Sequence, residues 1–164
     1  MNVELISILN NYGQFTVQQI QQNLSSTGTN ATGKTSASLK YSVKNEGTKA
    51  TLLITGRKYF ATVETGRKAT PNYDKPSKAF VQAIKEWAEA KGVDSKFAYA
   101  IAKSIHKKGT KLFRDGGRND VVSNVVNQGL VDEISKDLLD KFAQLFLKDV
   151  VKIFRDGTHN FTTA

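Results

Sequence analysis

The chain has 164 residues, a hydrophobic fraction of 39% and a formal net charge of +9, a length that suits one domain with a real core. Nine Phe and one Trp argue for folding rather than disorder, and the absence of Cys excludes disulfides and thiolate metal sites. No apolar run approaches the roughly 18 residues of a membrane span, and Met1 to Leu5 lacks the basic and apolar regions of a leader, so a soluble chain made in the cytoplasm is expected.

The positive charge is concentrated in the middle. Residues 1–33 carry a net −1, residues 34–118 carry +12 and residues 119–164 carry −2. A basic zone between slightly acidic ends suits nucleic acid, an acidic face on a neighbouring protein, or a plain solvated surface.

In chain order, Leu5, Leu9, Tyr12, Val17, Ile20 and Leu24 recur at helical spacing with Gln and Asn opposite, which predicts an N-terminal helix with Gly13 as a weak point or kink. Ser25 to Thr35 is turn chemistry. From Ser38 the period changes to two, with Leu39, Tyr41 and Val43 alternating with polar residues. Asn45 to Thr48 supplies a tight turn, and Ala50 to Thr55 a second strand, so the pair is an antiparallel hairpin.

The stretch from Gly56 to Pro71 packs Arg57, Lys58, Arg67 and Lys68, the aromatics Tyr59 and Phe60, and Glu64 between helix breakers. It reads as an elbow anchored by Tyr59, Phe60 and Val63 and turned by Gly66, with Arg67 and Lys68 facing outward. Pro76 suits the first turn of a helix that carries Phe80, Val81, Ile84, Trp87 and Ala88 and stops at Gly92. Asp94 or Ser95 caps the next, with Phe97, Ile101 and Ile105 recurring every four residues until Gly109. Residues 109–120 form a basic loop. Val121, Val122, Val125 and Val126 suggest a short apolar helix, with a strand as the alternative because of their β-branching, and Gly129 breaks it. A last helix runs from about Leu130 to Phe154, so apolar at its end that the hairpin or a neighbouring subunit must cover it. Residues 156–164 form a polar tail.

Each chemical motif competes with a plainer reading. Gly28 to Thr35 matches the Gly-x-x-x-x-Gly-Lys-Thr phosphate-loop pattern letter for letter. That loop needs a buried strand before it and a helix after it; here the order is inverted, so the match is read as a decoy and no cofactor is expected. His106 and His159 have no partner at ligand spacing, so neither a metal site nor a catalytic triad is expected, and the chain is read as a non-enzyme. The middle cations, including Lys107, Lys108, Lys111, Arg114 and Arg118, could track phosphates with Tyr59 and Phe60 as platforms, though no helix-turn-helix, zinc-finger or RRM signature accompanies them.

Several short motifs stand in a recognisable order. Ala31 to Leu39, then Tyr59 to Arg67, then Trp87-Ala88 with Gly92, then Phe97 to Lys103 with Gly109-Thr110, resemble the tail-completion and neck-protein family of tailed bacteriophages. That family carries an Ala-Thr-Gly segment leading into the first strand, a Tyr-Ala-x-x-x-Glu-x-Gly-Arg segment after the strands, and an Ala-x-x-Ile-Ala-Arg-x-Ile helix ending in Gly-Thr. The resemblance covers residues 1–150 and departs from the pattern at Lys111 to Gly117, where an aromatic-rich segment usually stands. It implies a virion structural protein of the head-to-tail junction, assembled into a ring, without enzymatic activity and without a membrane. Its partners would be other copies of itself, neighbouring portal, connector or tail proteins, and packaged DNA.

The expected fold is α+β: an N-terminal helix, an antiparallel β-hairpin, and three to four helices including a long C-terminal helix, in one domain over 1–155 followed by the tail. The hairpin edge and the 56–71 stretch are the candidate ring interface, with Arg57, Lys58, Tyr59, Glu64, Arg67 and Lys68 on one side. Asp132, Glu133 and Asp137 of an adjacent subunit are the candidate partners. The alternative function is a non-sequence-specific nucleic-acid-binding protein.

Overall fold

The computed structural model describes residues 3–47, 49–70 and 75–159. The elements follow in order: α1 (Val3–Ser26), α2 (Lys34–Ala37), β1 (Lys40–Asn45), β2 (Ala50–Thr55), a 3-10 turn (Lys58–Ala61), α3 (Thr62–Thr65), α4 (Lys78–Ala90), a second 3-10 turn (Ser95–Phe97), α5 (Ala98–Lys108), α6 (Lys111–Arg114) and α7 (Gln128–His159). The fold is α+β, with β1 and β2 an antiparallel hairpin. Pro71, the far end of the basic-aromatic stretch, and residues 160–164 of the expected tail lie outside the described residues; the backbone of 156–159 continues α7.

By its contacts the chain divides into two compact units, each gathered from separate segments. The first comprises residues 1–15, 41–53 and 126–164, and the second residues 16–40 and 54–125.

In the first unit, Leu9 is buried, and Gly13 is a point of close approach rather than a kink. A Cβ there would fall 2.5 Å from Tyr41 Cδ2 and 2.8 Å from Leu52 Cδ1. The absent side chain is what allows the inward face of the hairpin onto α1. α7 lies beside α1 in the opposite direction: Glu4 pairs with Lys141 at 2.7 Å, and two turns later Tyr12 donates to Asp137 Oδ2 at 2.7 Å. At ~1.5 Å per residue, the 32 residues of α7 extend well past what that contact covers. Leu130, Ile134, Leu138 and Leu145 are half-buried, and no side chain from 128 to 155 is fully buried.

In the second unit, Val17, Ile20 and Leu24 of α1 enter the core with Leu39, Ala88, Ala98, Ala102 and Val121. Fully burying a side chain such as Ile20 or Leu24 stabilises by roughly 1.5–3 kcal/mol. α4 packs on α5 and on the 3-10 turn before it, and the fully or nearly fully buried Ala88, Ala98 and Ala102 permit close helix approach. α4 begins one step later than Pro76 suggests. Ser77 is the N-cap, its hydroxyl accepting from Phe80 N–H at 3.2 Å, and Pro76 is buried just ahead of it. The helix ends as expected at Gly92, in a left-handed conformation (φ 69°), with Val93 N–H donating to Ala88 O and Gly92 N–H to Glu89 O. This is the double bond pattern that satisfies a helix's last carbonyls. Asp94 caps the next turn by accepting from Lys96 N–H.

Two expectations fail here for identifiable reasons. Residues 121–126 form turns and a bend, neither helix nor strand; the Glu64 carboxylate holds the N–H groups of 121–123, and Val125 N–H donates to Val122 O. Gly129 does not break a helix; it lies in the first turn of α7, where Asn127 Oδ1 accepts from Leu130 N–H at 3.1 Å.

Candidate interface surfaces

The basic-aromatic stretch is the clasp of the second unit. Arg57 N–H donates to Ser38 Oγ at 3.1 Å, which fixes where the chain leaves β2. The 3-10 turn and α3 then present Glu64 to the 121–123 turn. Its Oε1 accepts from the N–H groups of Val121 (3.0 Å), Val122 (2.6 Å) and Ser123 (2.9 Å), and its Oε2 accepts from Ser123 Oγ at 2.5 Å. Burial pushes this carboxyl up, but the bonds from Ser123, Val122 and Val121 outweigh it and leave the pKa below the usual carboxylate range. Asn23 of α1 holds the same turn by donating to Val121 O and Asn124 Oδ1, both at 3.1 Å.

Beyond Glu64 the segment 66–70 is pinned along the end of α5. Arg67 N–H donates to Thr110 Oγ1, Thr110 N–H donates to Arg67 O, and Thr70 N–H donates to His106 O. Thr110 also caps α6, accepting from Phe113 N–H. Gly66 and Gly109, both at positive φ with ψ near 180°, are placed where these backbones meet.

The expected interface residues therefore divide. Arg57, Lys58, Tyr59 and Lys68 are exposed, and Tyr59, at 60% exposure, is no anchor of the elbow. Glu64 is committed inside its own unit rather than presented to a neighbour. Arg67 is half-buried, with its guanidinium carbon 3.7 Å from the centre of the Phe80 ring, a cation–π contact in place of the expected outward projection. Sequence reasoning saw Glu64 as one charge in a basic stretch; the signal it lacked was which backbone N–H groups would come within reach.

On the first unit, Glu133 and Asp137 line a groove of about 290 Å³ together with Ile8, Asn11, Tyr12 and Phe15. Asp132, also expected at the interface, is exposed and accepts from Gln128 Nε2 at 2.8 Å. The Tyr12 phenol is pushed well above its usual range by burial, then by the hydrogen bond to Asp137 and the charges of Asp137 and Glu133. The groove thus joins an apolar wall to two carboxylates, which suits the stem and head of a Lys or Arg side chain.

The Gly28 to Thr35 loop follows a helix and leads into the four-residue α2 and then β1. Lys34 Nζ pairs with Glu86 Oε2 at 2.6 Å, and Lys91 Nζ donates to Gly28 O at 2.8 Å. These lysines tie the loop to α4 and its C-cap rather than converging on an anion. Among the described residues, no cluster of three His, Cys, Asp or Glu could hold a metal, and no helix is long and apolar enough to cross a membrane. Comparison with protein-family models, curated proteins and solved structures finds no match for this chain.

Proposed function

We propose that the protein is a structural subunit of a homo-oligomeric ring at the head-to-tail junction of a tailed bacteriophage. The observation that carries this reading is that one chain presents two different exposed surfaces of opposite charge. Arg57, Lys58, Tyr59 and Lys68 lie on the second unit, and the groove lined by Glu133 and Asp137 lies on the first. A ring is built from a heterologous contact, in which one patch of each subunit meets a different patch of the next. The order of short motifs shared with the neck-protein family supports the setting.

Native mass spectrometry and electron microscopy of the purified protein are expected to show a closed oligomer. Arg57→Glu with Lys58→Glu should weaken assembly by at least about tenfold, and adding Asp132→Lys with Glu133→Lys should restore part of it. A strict monomer that is also absent from phage particles would sink the reading.

A second reading, non-specific nucleic-acid binding, is favoured by α5. Exposed Tyr99, Lys103 and Lys107 recur every four residues along one face, and exposed Lys111, Phe113 and Arg114 of α6 follow. Cations interleaved with aromatics suit a phosphate backbone and stacked bases. Anisotropy with labelled DNA is then expected to show affinity falling steeply with salt, and Lys103→Glu with Lys107→Glu should reduce it about tenfold or more. Affinity unchanged by salt and by that variant would remove it.

A further inference from the structure

Among the described residues, nothing covers the outer face of α7. Eight of its apolar side chains, from Val131 to Phe154, are 50–71% exposed. Since a large aromatic buries about 150–250 Å² when covered, these eight leave on the order of 800 Å² of apolar surface in water. The largest patch on an ordinary monomer is about 300–600 Å², whereas a standard interface takes roughly 800 Å² from each partner. The eight spread over about half of the helix circumference, and a contact on this face uses part of that area.

Its pattern identifies the occupant. Leu139, Phe142, Phe146, Val150 and Ile153 form one stripe at intervals of 3, 4, 4 and 3 residues. The stripe reads the same in both directions and is centred on Phe146. All but the half-buried Val150 are among the exposed residues. An antiparallel copy of the same helix, centred on Phe146, would set Leu139 against Ile153 and Phe142 against Val150.

Charge selects the same orientation. From 128 to 141 the helix carries four acids (Asp132, Glu133, Asp137, Asp140) and two bases (Lys136, Lys141), a net −2. From 147 to its end at 159 it carries three bases (Lys148, Lys152, Arg155) and two acids (Asp149, Asp156), a net +1. Centred on Phe146, antiparallel pairing sets Asp140 level with Lys152 of the other copy, whereas parallel pairing would stack like on like.

We infer that α7 pairs with α7 of a second copy, antiparallel and two-fold symmetric about Phe146. The contact is isologous and closes as a pair. It uses the Leu139 to Ile153 stripe rather than the Glu133 and Asp137 groove of the ring contact, and does not depend on that contact.

Because the chain has no Cys, single-cysteine variants read the geometry directly. Leu139→Cys and Ile153→Cys lie 14 residues apart, about 21 Å along the helix. Under mild oxidation, neither variant alone should cross-link to itself, and an equimolar mixture should give the mixed disulfide dimer. With the ring contact weakened by Arg57→Glu and Lys58→Glu, sedimentation over a concentration series should show a dimer, with Phe142→Asp plus Phe146→Asp raising its dissociation constant on the order of 100-fold. Circular dichroism of that variant should stay unchanged, since both rings are exposed.

Self-cross-linking of Leu139→Cys alone would mean a parallel pair and overturn the proposal. So would a wild-type monomer at every concentration, or a dimer indifferent to the double substitution. A monomer whose α7 face binds lipid vesicles instead would overturn it equally. The charge reversals at Arg57 and Lys58 are expected to leave the cross-linking pattern unchanged, so failure of the ring reading and failure of this one give different results.

Discussion

Gly66→Ala is expected to destabilise the second unit by about 3–5 kcal/mol, combining backbone strain with a backbone clash. Gly66 has φ 71° and ψ 177°, a region open almost only to glycine. A Cβ there would fall 2.5 Å from Phe113 N and 2.6 Å from Thr110 Oγ1. Neither neighbour can retreat cheaply: Phe113 N is backbone in α6, and Thr110 Oγ1 already accepts from both Arg67 and Phe113. Trp87, the single Trp, belongs to the same unit, so its fluorescence in a urea titration reports the effect. A midpoint equal to that of the wild type would show that segment 66–70 is not held against α5 and α6 in this way.

Glu64→Ala should cost about 2–3 kcal/mol, since hydrogen bonds to a charged group contribute roughly 1.5–3 kcal/mol each, discounted for the exposure of the Ser123 end. Loss of the carboxylate leaves Val121, Val122 and Ser123 without their acceptor, and Val121 is a fully buried core residue. Glu64→Gln keeps an acceptor and should cost less.

The pH dependence follows in sign. The folded-state pKa of Glu64 is lowered from 4.5, so the charged form stabilises the fold above the unfolded pKa, and that contribution is lost as pH falls through the lower, folded value. Glu4, Glu86, Asp94 and Asp120 are also lowered, so acid weakens the wild type for several reasons. The diagnostic quantity is the stability gap between wild type and Glu64→Gln, measured by urea titration from pH 7 to 3. It should narrow as pH drops below about 4.5; a constant gap would remove Glu64 as its cause.

The helices of this chain were legible because their signals are local. The i, i+3, i+7 recurrence of Val17, Ile20 and Leu24, the alternation through Tyr41 and Val43, and the glycine stop at Gly92 each act within a few residues. The four valines of 121–126 make a strong local pattern that misled: there a carboxylate more than fifty residues away holds the N–H groups of 121–123 in a turn. Gly13 misled in the same way, since a glycine that admits a tyrosine from another segment looks, in one dimension, like a flaw.

The candidate surfaces divide along that line. Sequence alone determined the helix-hairpin-helix order, the basic middle, the inverted context of Gly28 to Thr35 and the broad apolar end of the last helix, all of which depend on spacing. Only the tertiary structure decided which charges are spent inside the fold and which remain for a partner. It turned Glu64 and Arg67 inward, onto the 121–123 backbone and the Phe80 ring, and left Arg57, Lys58 and Lys68 exposed. The physical reason is that a charge is directed by the donors, acceptors and rings that folding brings within about 3–4 Å, and those come from segments whose meeting no local pattern encodes.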